Sequence, residues 1–124
     1  MSKRILIADD EPSIVTAVEF LLRRDGYEVQ VARDGNEALQ LIESSLPDLV
    51  VLEVMMPQRS GYEVCRTIRE RDDWRHIKVV MLSAKGRDAE VAKGMAIGAD
   101  VYVTKPFSTR ELIGRIRTLL ESTA

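Results

Sequence analysis

The sequence has little cysteine and no long hydrophobic run. Cys65 is the single cysteine, so an intramolecular disulfide is excluded, which is typical of proteins in a reducing compartment. No apolar stretch approaches the roughly 18 residues needed to span a membrane. The short apolar run near the N-terminus ends at Asp9 and Asp10, too early for a signal peptide. We therefore expect a cytoplasmic protein that does not enter the membrane.

An excess of positive charge is also absent. The 18 Lys and Arg residues are balanced by 20 Asp and Glu residues, for a net charge of −2. No general attraction to nucleic acids or acidic membranes is therefore expected. Hydrophobic residues make up 45% of the chain and charged residues 31%, which excludes collagen-like, low-complexity and disordered proteins. The length of 124 residues suits a single domain, 1–124.

Hydrophobic periodicity divides the chain into alternating strands and helices. Short apolar or alternating runs predict strands at 3–8, 27–32, 48–56, 77–82 and 101–104. Each run is followed by a segment with apolar residues at helical spacing. Pro12 suits the first turn of the first helix, and Asp34 and Ser108 each stand three residues before a Glu, the spacing of a helix cap.

Strict β–α alternation, repeated five times, predicts an α/β fold with a parallel sheet covered on both faces. Since crossovers between parallel strands are right-handed, few topologies remain. We expect a doubly wound five-stranded parallel sheet of the flavodoxin-like type, with strand order 2-1-3-4-5.

Polar residues stand at or near the ends of four of the five predicted strands, at the edge where such sheets bind ligands. They are Asp9 and Asp10, Glu53, Ser83, and Lys105. The three carboxylates repel one another and require a cation. Hard oxygen ligands favour Mg²⁺, while a lysine and a hydroxyl suit phosphate oxygens. The sequence therefore predicts a magnesium and phosphoryl site.

Each of these residues alone also has an ordinary structural explanation, as a helix cap or a solvated side chain. Glu53 is the exception, because apolar residues flank it on both sides and a buried charge must be paired, ligated or neutralised. Other kinds of site have less support. Nucleotide-binding glycine loops and the nucleophile motif of hydrolases are absent, and one Cys and one His cannot form a structural zinc site.

These residues resemble those of the receiver domain of two-component response regulators, and the resemblance covers essentially the whole chain. Its motifs are the acidic pair Asp9 and Asp10, the segment 54–57 with Gly61 beyond it, Ser83 with Ala84, and the segment 105–107. The family is one of signalling switches, so the resemblance implies phosphorelay function and no enzymatic activity of its own.

The resemblance also implies residue roles. Asp9, Asp10, Glu53 and the backbone carbonyl of Met55 would bind Mg²⁺, and Ser83 and Lys105 would bind phosphoryl oxygens. Tyr102 would be an aromatic switch that turns inward when Ser83 moves, and the bond before Pro106 would be cis. A sensor histidine kinase or phosphotransfer protein would be the upstream partner. A downstream protein would bind the face formed by helix 4, strand 5 and helix 5, and the chain would be a monomer or a weak dimer.

One position departs from the family, whose phosphoacceptor is an aspartate where this chain has Glu53. The extra methylene adds about 1.5 Å of reach, whereas nucleophilic attack needs reacting atoms held about 3–3.5 Å apart. We therefore predict that Glu53 accepts a phosphoryl group poorly or not at all. A carboxylate placed further out can instead engage Lys105 without phosphorylation, since two unit charges at about 4 Å attract by about 4 kcal/mol at an effective dielectric near 20.

Several alternatives stay open at this point. Glu53 is either natural or an engineered mimic of phosphoaspartate, and the otherwise intact site favours engineering. The chain is either a stand-alone receiver or one excised from a regulator with a DNA-binding output domain. Two other hypotheses are a Mg²⁺-dependent phosphatase or phosphotransferase that uses the same acidic edge, and a scaffold module with an inactive site.

Overall fold

Five parallel strands form the centre of the protein in a computed structural model that describes residues 2–84 and 86–121. The strands are β1 (Arg4–Ala8), β2 (Glu28–Ala32), β3 (Leu49–Glu53), β4 (Lys78–Ser83) and β5 (Val101–Thr104). The helices are α1 (Pro12–Arg24), α2 (Gly35–Ser45), α3 (Gly61–Glu70), α4 (Asp88–Ile97) and α5 (Thr109–Glu121), and a short 3₁₀ helix covers Asp72–Trp74.

The strand order is β2-β1-β3-β4-β5, which confirms the predicted doubly wound topology. Ile5 of β1 pairs with Val29 on one side and with Leu49 on the other. Because side chains alternate along a strand, Ile5 and its alternate neighbours face α1 and α5, whereas Leu6 faces the core shared with α2, α3 and α4. Both faces of the sheet are therefore covered by helices.

The helix starts follow the local signals in the sequence. Pro12 is the first residue of α1. The Asp34 side chain accepts a hydrogen bond from the Glu37 backbone, and the Ser108 hydroxyl accepts one from the Glu111 backbone, at 2.8 and 3.2 Å. No helix in the described part of the chain has the length and apolar character that crossing a membrane requires.

A further capping box begins α3, where Ser60 and Glu63 bond each other's backbone N–H groups. This capping box was not predicted, although its spacing equals that of Ser108 and Glu111. The box matters for the site because it fixes the loop that joins β3 to α3.

The predicted third strand, 48–56, is too long. β3 ends at Glu53, and the apolar run continues into a loop in which Met55 is 60% exposed. The Val54 N–H still donates to the Leu82 carbonyl at 2.9 Å, but the Val54 carbonyl accepts from Gly61 at 3.0 Å and turns the chain toward α3. The loop can contain apolar residues because two of them, Val54 and Met56, remain buried in the core. The turn leaves Glu53 at the carboxyl edge of the sheet.

Candidate functional site

Three polar or charged residues among those described are buried, and all three stand at the carboxyl edge of the sheet. They are Asp9, immediately after β1, Glu53 at the end of β3, and Ser83 at the end of β4, with exposed fractions of 1%, 4% and 0%. β1, β3 and β4 are the three central strands, so the parallel pairing brings these residues together.

Lys105 provides the cation of this edge. Its ammonium donates to Oε2 of Glu53 and to Oε1 of Glu11, the latter at 2.7 Å, and lies 3.8 Å from Oδ2 of Asp9. The Lys105 side chain is 14% exposed. Its backbone N–H donates to the Ser83 carbonyl at 2.8 Å, and the Lys105–Pro106 peptide bond is cis. Lys105 is therefore anchored at both ends, by β4 and by carboxylates.

Glu53 is paired in the way that its buried position requires. Its Oε1 accepts a hydrogen bond from the Met55 backbone N–H at 3.3 Å, and its Oε2 accepts from the Lys105 ammonium. A charge-assisted bond of this kind is about twice as strong as a neutral one. The side chain is only 6% exposed, so solvent screens the pair with Lys105 weakly.

Asp9 is less well satisfied than Glu53. Its Oδ1 accepts from the Glu11 backbone N–H at 2.9 Å, but within the described residues its buried Oδ2 accepts no hydrogen bond. Burial raises the pKa of the Asp9 carboxyl above its usual range, while the Glu11 N–H and Lys105 oppose that rise. Glu53 adds to the rise by charge repulsion. Within the described residues, Oδ2 of Asp9 is therefore the buried side-chain oxygen that a further donor or cation would satisfy.

The surroundings of Lys105 favour its charged form, whereas those of Asp9 disfavour the charged form of that carboxyl. Burial lowers the pKa of its ammonium, but the hydrogen bonds to Glu11 and Glu53 and the charge of Asp9 outweigh burial, so the pKa lies above its ordinary value. The cation therefore persists throughout the neutral range.

The carboxylates of Asp9, Glu11 and Glu53 each place one oxygen within 4.8 Å of the others. A set of hard oxygen donors fits Mg²⁺ better than a soft metal, and the unpartnered Oδ2 of Asp9 is a buried oxygen that a cation would satisfy. The residues present are therefore suited to a divalent cation.

Asp10 was predicted for this cluster and Glu11 was not. Asp10 is exposed and lies beside Pro12 and Arg33, outside the cluster of three carboxylates. Glu11 reaches the cluster because its N–H bonds the Asp9 side chain, which folds the chain back at this point. The sequence did contain a signal for Glu11. In a common type of turn, an Asp side chain accepts a hydrogen bond from the backbone two residues further on, and here that residue is acidic.

Ser83 and Tyr102 lie on one face of the sheet. Tyr102 pairs with Met81, and Ser83, two residues further along β4, pairs with Thr104. The Tyr102 ring is half-buried and packs against the core shared with α3 and α4. This placement puts Tyr102 between the site and α4.

An open groove of about 550 Å³ begins at Lys105 and Glu11. Its walls are mainly apolar and include Ile14 and Ala17 of α1 together with Phe107. The groove offers room for a partner's surface next to the site, and among its lining residues Glu11 and Lys105 are the charged ones.

The chain is similar to known proteins over nearly its whole length. The family model of the response regulator receiver domain matches residues 5–117. The BeF3-activated DrrB receiver domain is 36% identical, with 98% of this chain and 99% of that chain covered and a TM-score of 0.89. The receiver domain of the Francisella response regulator 1452 is 33% identical, with coverages of 99% and 100% and a TM-score of 0.92. The chemotaxis response regulator CheY4 of Vibrio cholerae is 28% identical, with coverages of 96% and 99% and a TM-score of 0.89.

Proposed function

The chain belongs to the response regulator receiver domain family, and from this premise we propose that it is a signalling switch whose Lys105 is held by Glu53 without a phosphoryl group. Receiver domains act in two-component phosphorelays, generally as switches rather than catalysts, and they typically bind Mg²⁺ at an acidic pocket. The observation that carries the proposal is the buried pair between the Lys105 ammonium and the Glu53 carboxylate.

We assign Glu53 to the phosphoacceptor position. It ends β3 at the centre of the sheet, next to the Lys105 ammonium and close to Asp9. Both of its oxygens are engaged, one by Met55 and one by Lys105. A carboxylate that is already bonded and one methylene longer than aspartate is poorly aligned for attack on phosphorus. Glu53 therefore accepts a phosphoryl group poorly or not at all.

The same pair supports partial activation. In the proposed switch, Lys105 and Ser83 bind phosphoryl oxygens when these are present, and Ser83 acts on Tyr102 across the same face of the sheet. Glu53 already supplies one negative group to Lys105, but a carboxylate carries less charge and fewer acceptor oxygens than a phosphoryl group. The population of the active state is therefore intermediate, since receiver-like states differ by only a few kcal/mol.

Mg²⁺ would be held by Asp9 and Glu53, with Glu11 near enough to contribute and with Asp10 and the Met55 carbonyl as the predicted remaining ligands. The bound ion supplies positive charge for the carboxylates and for an incoming phosphoryl group. Until it binds, Lys105 is the positive charge that the three carboxylates share.

Intact-mass measurement tests the assignment of Glu53. The protein and its Glu53→Asp variant are incubated with Mg²⁺ and acetyl phosphate. We expect only the variant to gain the mass of one phosphoryl group, because the shorter side chain restores the reach of the acceptor. Comparable phosphorylation of the parent at Glu53 would contradict the proposal.

Backbone NMR spectra test the partial activation. The signals of β5 and α4 in the parent should lie between those of Glu53→Asp without and with acetyl phosphate. Glu53→Gln, which keeps the shape and removes the charge, should move toward the untreated Asp variant. If the parent and Glu53→Gln give the same spectrum outside the site, charge at position 53 is not the cause.

The partners follow from the same assignment. We propose that a histidine kinase or a phosphotransfer protein binds at the groove beside Lys105, and that a downstream protein binds the surface of α4, β5 and α5. The enzymatic alternative predicts turnover of added phosphate esters such as p-nitrophenyl phosphate, and the switch predicts none beyond the rate of buffer.

A further inference from the structure

Helix α4 is held to the rest of the domain by few apolar contacts. Among its residues Gly94 alone is buried, whereas α3, of equal length, buries Gly61, Val64, Cys65 and Ile68. A helix without a broad apolar face depends on individual contacts for its orientation. The position of α4 is therefore sensitive to the few side chains on which it rests.

Two tyrosines are among those contacts, beside the Met81 side chain at Gly94 and the packing of Ile97 on the core. The Tyr62 hydroxyl of α3 donates to the Glu90 carbonyl at 3.2 Å, and the Lys93 ammonium lies 4.5 Å from the centre of the Tyr62 ring. The Tyr102 ring of β5 lies against Gly94: a methyl group added to Gly94 would be 2.8 Å from Cδ2 of Tyr102. Positions 90, 93 and 94 share one face of a helix, so this face of α4 rests on Tyr62 and Tyr102 together.

The two tyrosines also interact with each other. Burial raises the pKa of the Tyr62 hydroxyl well above its ordinary value, and hydrogen bonding to Tyr102, followed by the charges of Tyr102 and Glu90, raises it further. Both rings pack on the same core. A change in the position of either ring therefore alters the surroundings of the other.

Tyr62 follows a residue, Gly61, that packs directly on the end of β3 beside the acidic site. Gly61, the residue before it, donates its N–H to the Val54 carbonyl at 3.0 Å. A methyl group on Gly61 would lie 2.5 Å from the Glu53 carbonyl oxygen. The start of α3 thus packs directly on the end of β3, and Tyr62 extends from that contact to α4.

We propose that Tyr62 is a positioning residue that holds Tyr102 and α4 in one arrangement. Its hydroxyl anchors α4 at Glu90 and keeps the Tyr102 ring between β5 and Gly94, so the exposed surface of α4 and β5 depends on α3 as well as on the acidic site. Tyr62 acts through its neighbours, the Tyr102 ring and the backbone of α4. The relevance to signalling rests on the proposed function, whereas the coupling of the two rings does not.

Fluorine NMR of the protein labelled with 3-fluorotyrosine tests this coupling, because the chain has three tyrosines and each gives one resonance. Tyr62→Phe removes the hydroxyl and keeps the ring. We expect it to shift the Tyr102 resonance and to speed amide hydrogen exchange in α4 by about two- to tenfold, the effect of one hydrogen bond of ordinary strength. An unchanged Tyr102 resonance together with unchanged exchange in α4 would overturn the proposal.

Two further variants make the result specific. Tyr27→Phe is the matched control, because Tyr27 packs on the opposite core with α1 and α5, and it should leave the Tyr102 resonance in place. Gly94→Ala is the positive control, because its methyl group displaces the Tyr102 ring directly. If Tyr27→Phe shifts Tyr102 as much as Tyr62→Phe does, the effect is global and the proposal fails.

The Glu53→Asp variant separates this proposal from the proposed function. With acetyl phosphate its Tyr102 resonance should move, and adding Tyr62→Phe should reduce that movement. If the Tyr102 resonance does not move with acetyl phosphate although the variant is phosphorylated, the proposed switch is contradicted. A shift caused by Tyr62→Phe in untreated protein would still support the coupling of the two rings.

Discussion

The Lys105 ammonium lies 3.8 Å from Oδ2 of Asp9, a buried oxygen that accepts no hydrogen bond within the described residues. The same ammonium bonds Glu53 and Glu11, so its attraction is divided among three carboxylates. Asp9 receives the weakest share although it is the most buried of the three. Oδ2 of Asp9 is therefore the oxygen of the described site that a divalent cation would satisfy best.

Asp9→Asn should stabilise the protein in the absence of metal by about 1 kcal/mol, because it removes an incompletely satisfied buried charge. Since the pKa of Asp9 is raised in the fold, the cost of its charge is absent below about pH 4 and appears as the pH rises through the raised value. Urea unfolding with EDTA at pH 7 should show the gain, and at pH 4 the gain should shrink.

Asp10→Asn is the matched control for this prediction, because Asp10 is exposed, and it should change the stability of the metal-free protein little. Mg²⁺ should stabilise the parent by mass action and should stabilise Asp9→Asn much less. A less stable Asp9→Asn at pH 7 would show that the Asp9 charge is favourable in the fold.

Lys105→Met should destabilise the protein by about 3 kcal/mol, because it leaves the buried Glu53 and Asp9 carboxylates without their cation. Combining it with Glu53→Gln should recover part of the loss, and the double-mutant cycle should give a coupling of about 0.5–3 kcal/mol. Arg115→Met removes an exposed ion pair of α5 with Glu111 and should cost less than about 0.5 kcal/mol. Additive effects of Lys105→Met and Glu53→Gln would disprove the coupling.

Arg69→Met should cost about 3 kcal/mol, because its guanidinium joins α3 to two other parts of the chain, at Ile77 and at 98–100. It donates to the Gly98 carbonyl at 2.9 Å, to the Ile77 carbonyl at 2.7 Å and to Asp100 at 2.9 Å. Removing it leaves Asp100 with the Val79 N–H but without its cation. Arg66→Met on the exposed side of α3 is the control and should be nearly neutral in thermal unfolding. Similar losses for the two variants would refute this role of Arg69.

The Cys65 thiol should be almost unreactive in the folded protein at pH 8. Burial raises its pKa to about 11, with Arg69 opposing the rise and Asp100 adding to it. An aromatic disulfide reagent should therefore react with native protein far more slowly than with protein unfolded in urea. Because the folded pKa is raised, the contribution of Cys65 to stability is intact below about pH 8.5 and is lost as the pH rises toward the folded value. Equal reaction rates in the two states would contradict this burial.

The order and type of the elements were predictable because the signals for them are local. Strand β5 was predicted at its observed bounds, since a short β-branched run lies between Gly98 and a proline. Strand β3 was predicted too long, because periodicity cannot distinguish a buried strand from a buried apolar loop. What ended β3 is the contact between Gly61 and the backbone of residues 53 and 54, which no local pattern contains.

The chemistry of the acidic edge was determined by the sequence alone. Asp9, Glu53, Ser83 and Lys105 each stand at the end of a strand or directly after it, which places them at one edge of any parallel sheet. Which carboxylates share the Lys105 ammonium was decided only by the tertiary structure. The hydrogen bond from Glu11 N–H to Asp9 brings Glu11 inward, while Asp10 points to solvent. Contacts between the ends of separate strands depend on distances of a few ångströms, and sequence spacing does not specify these distances until the sheet and its loops are assembled.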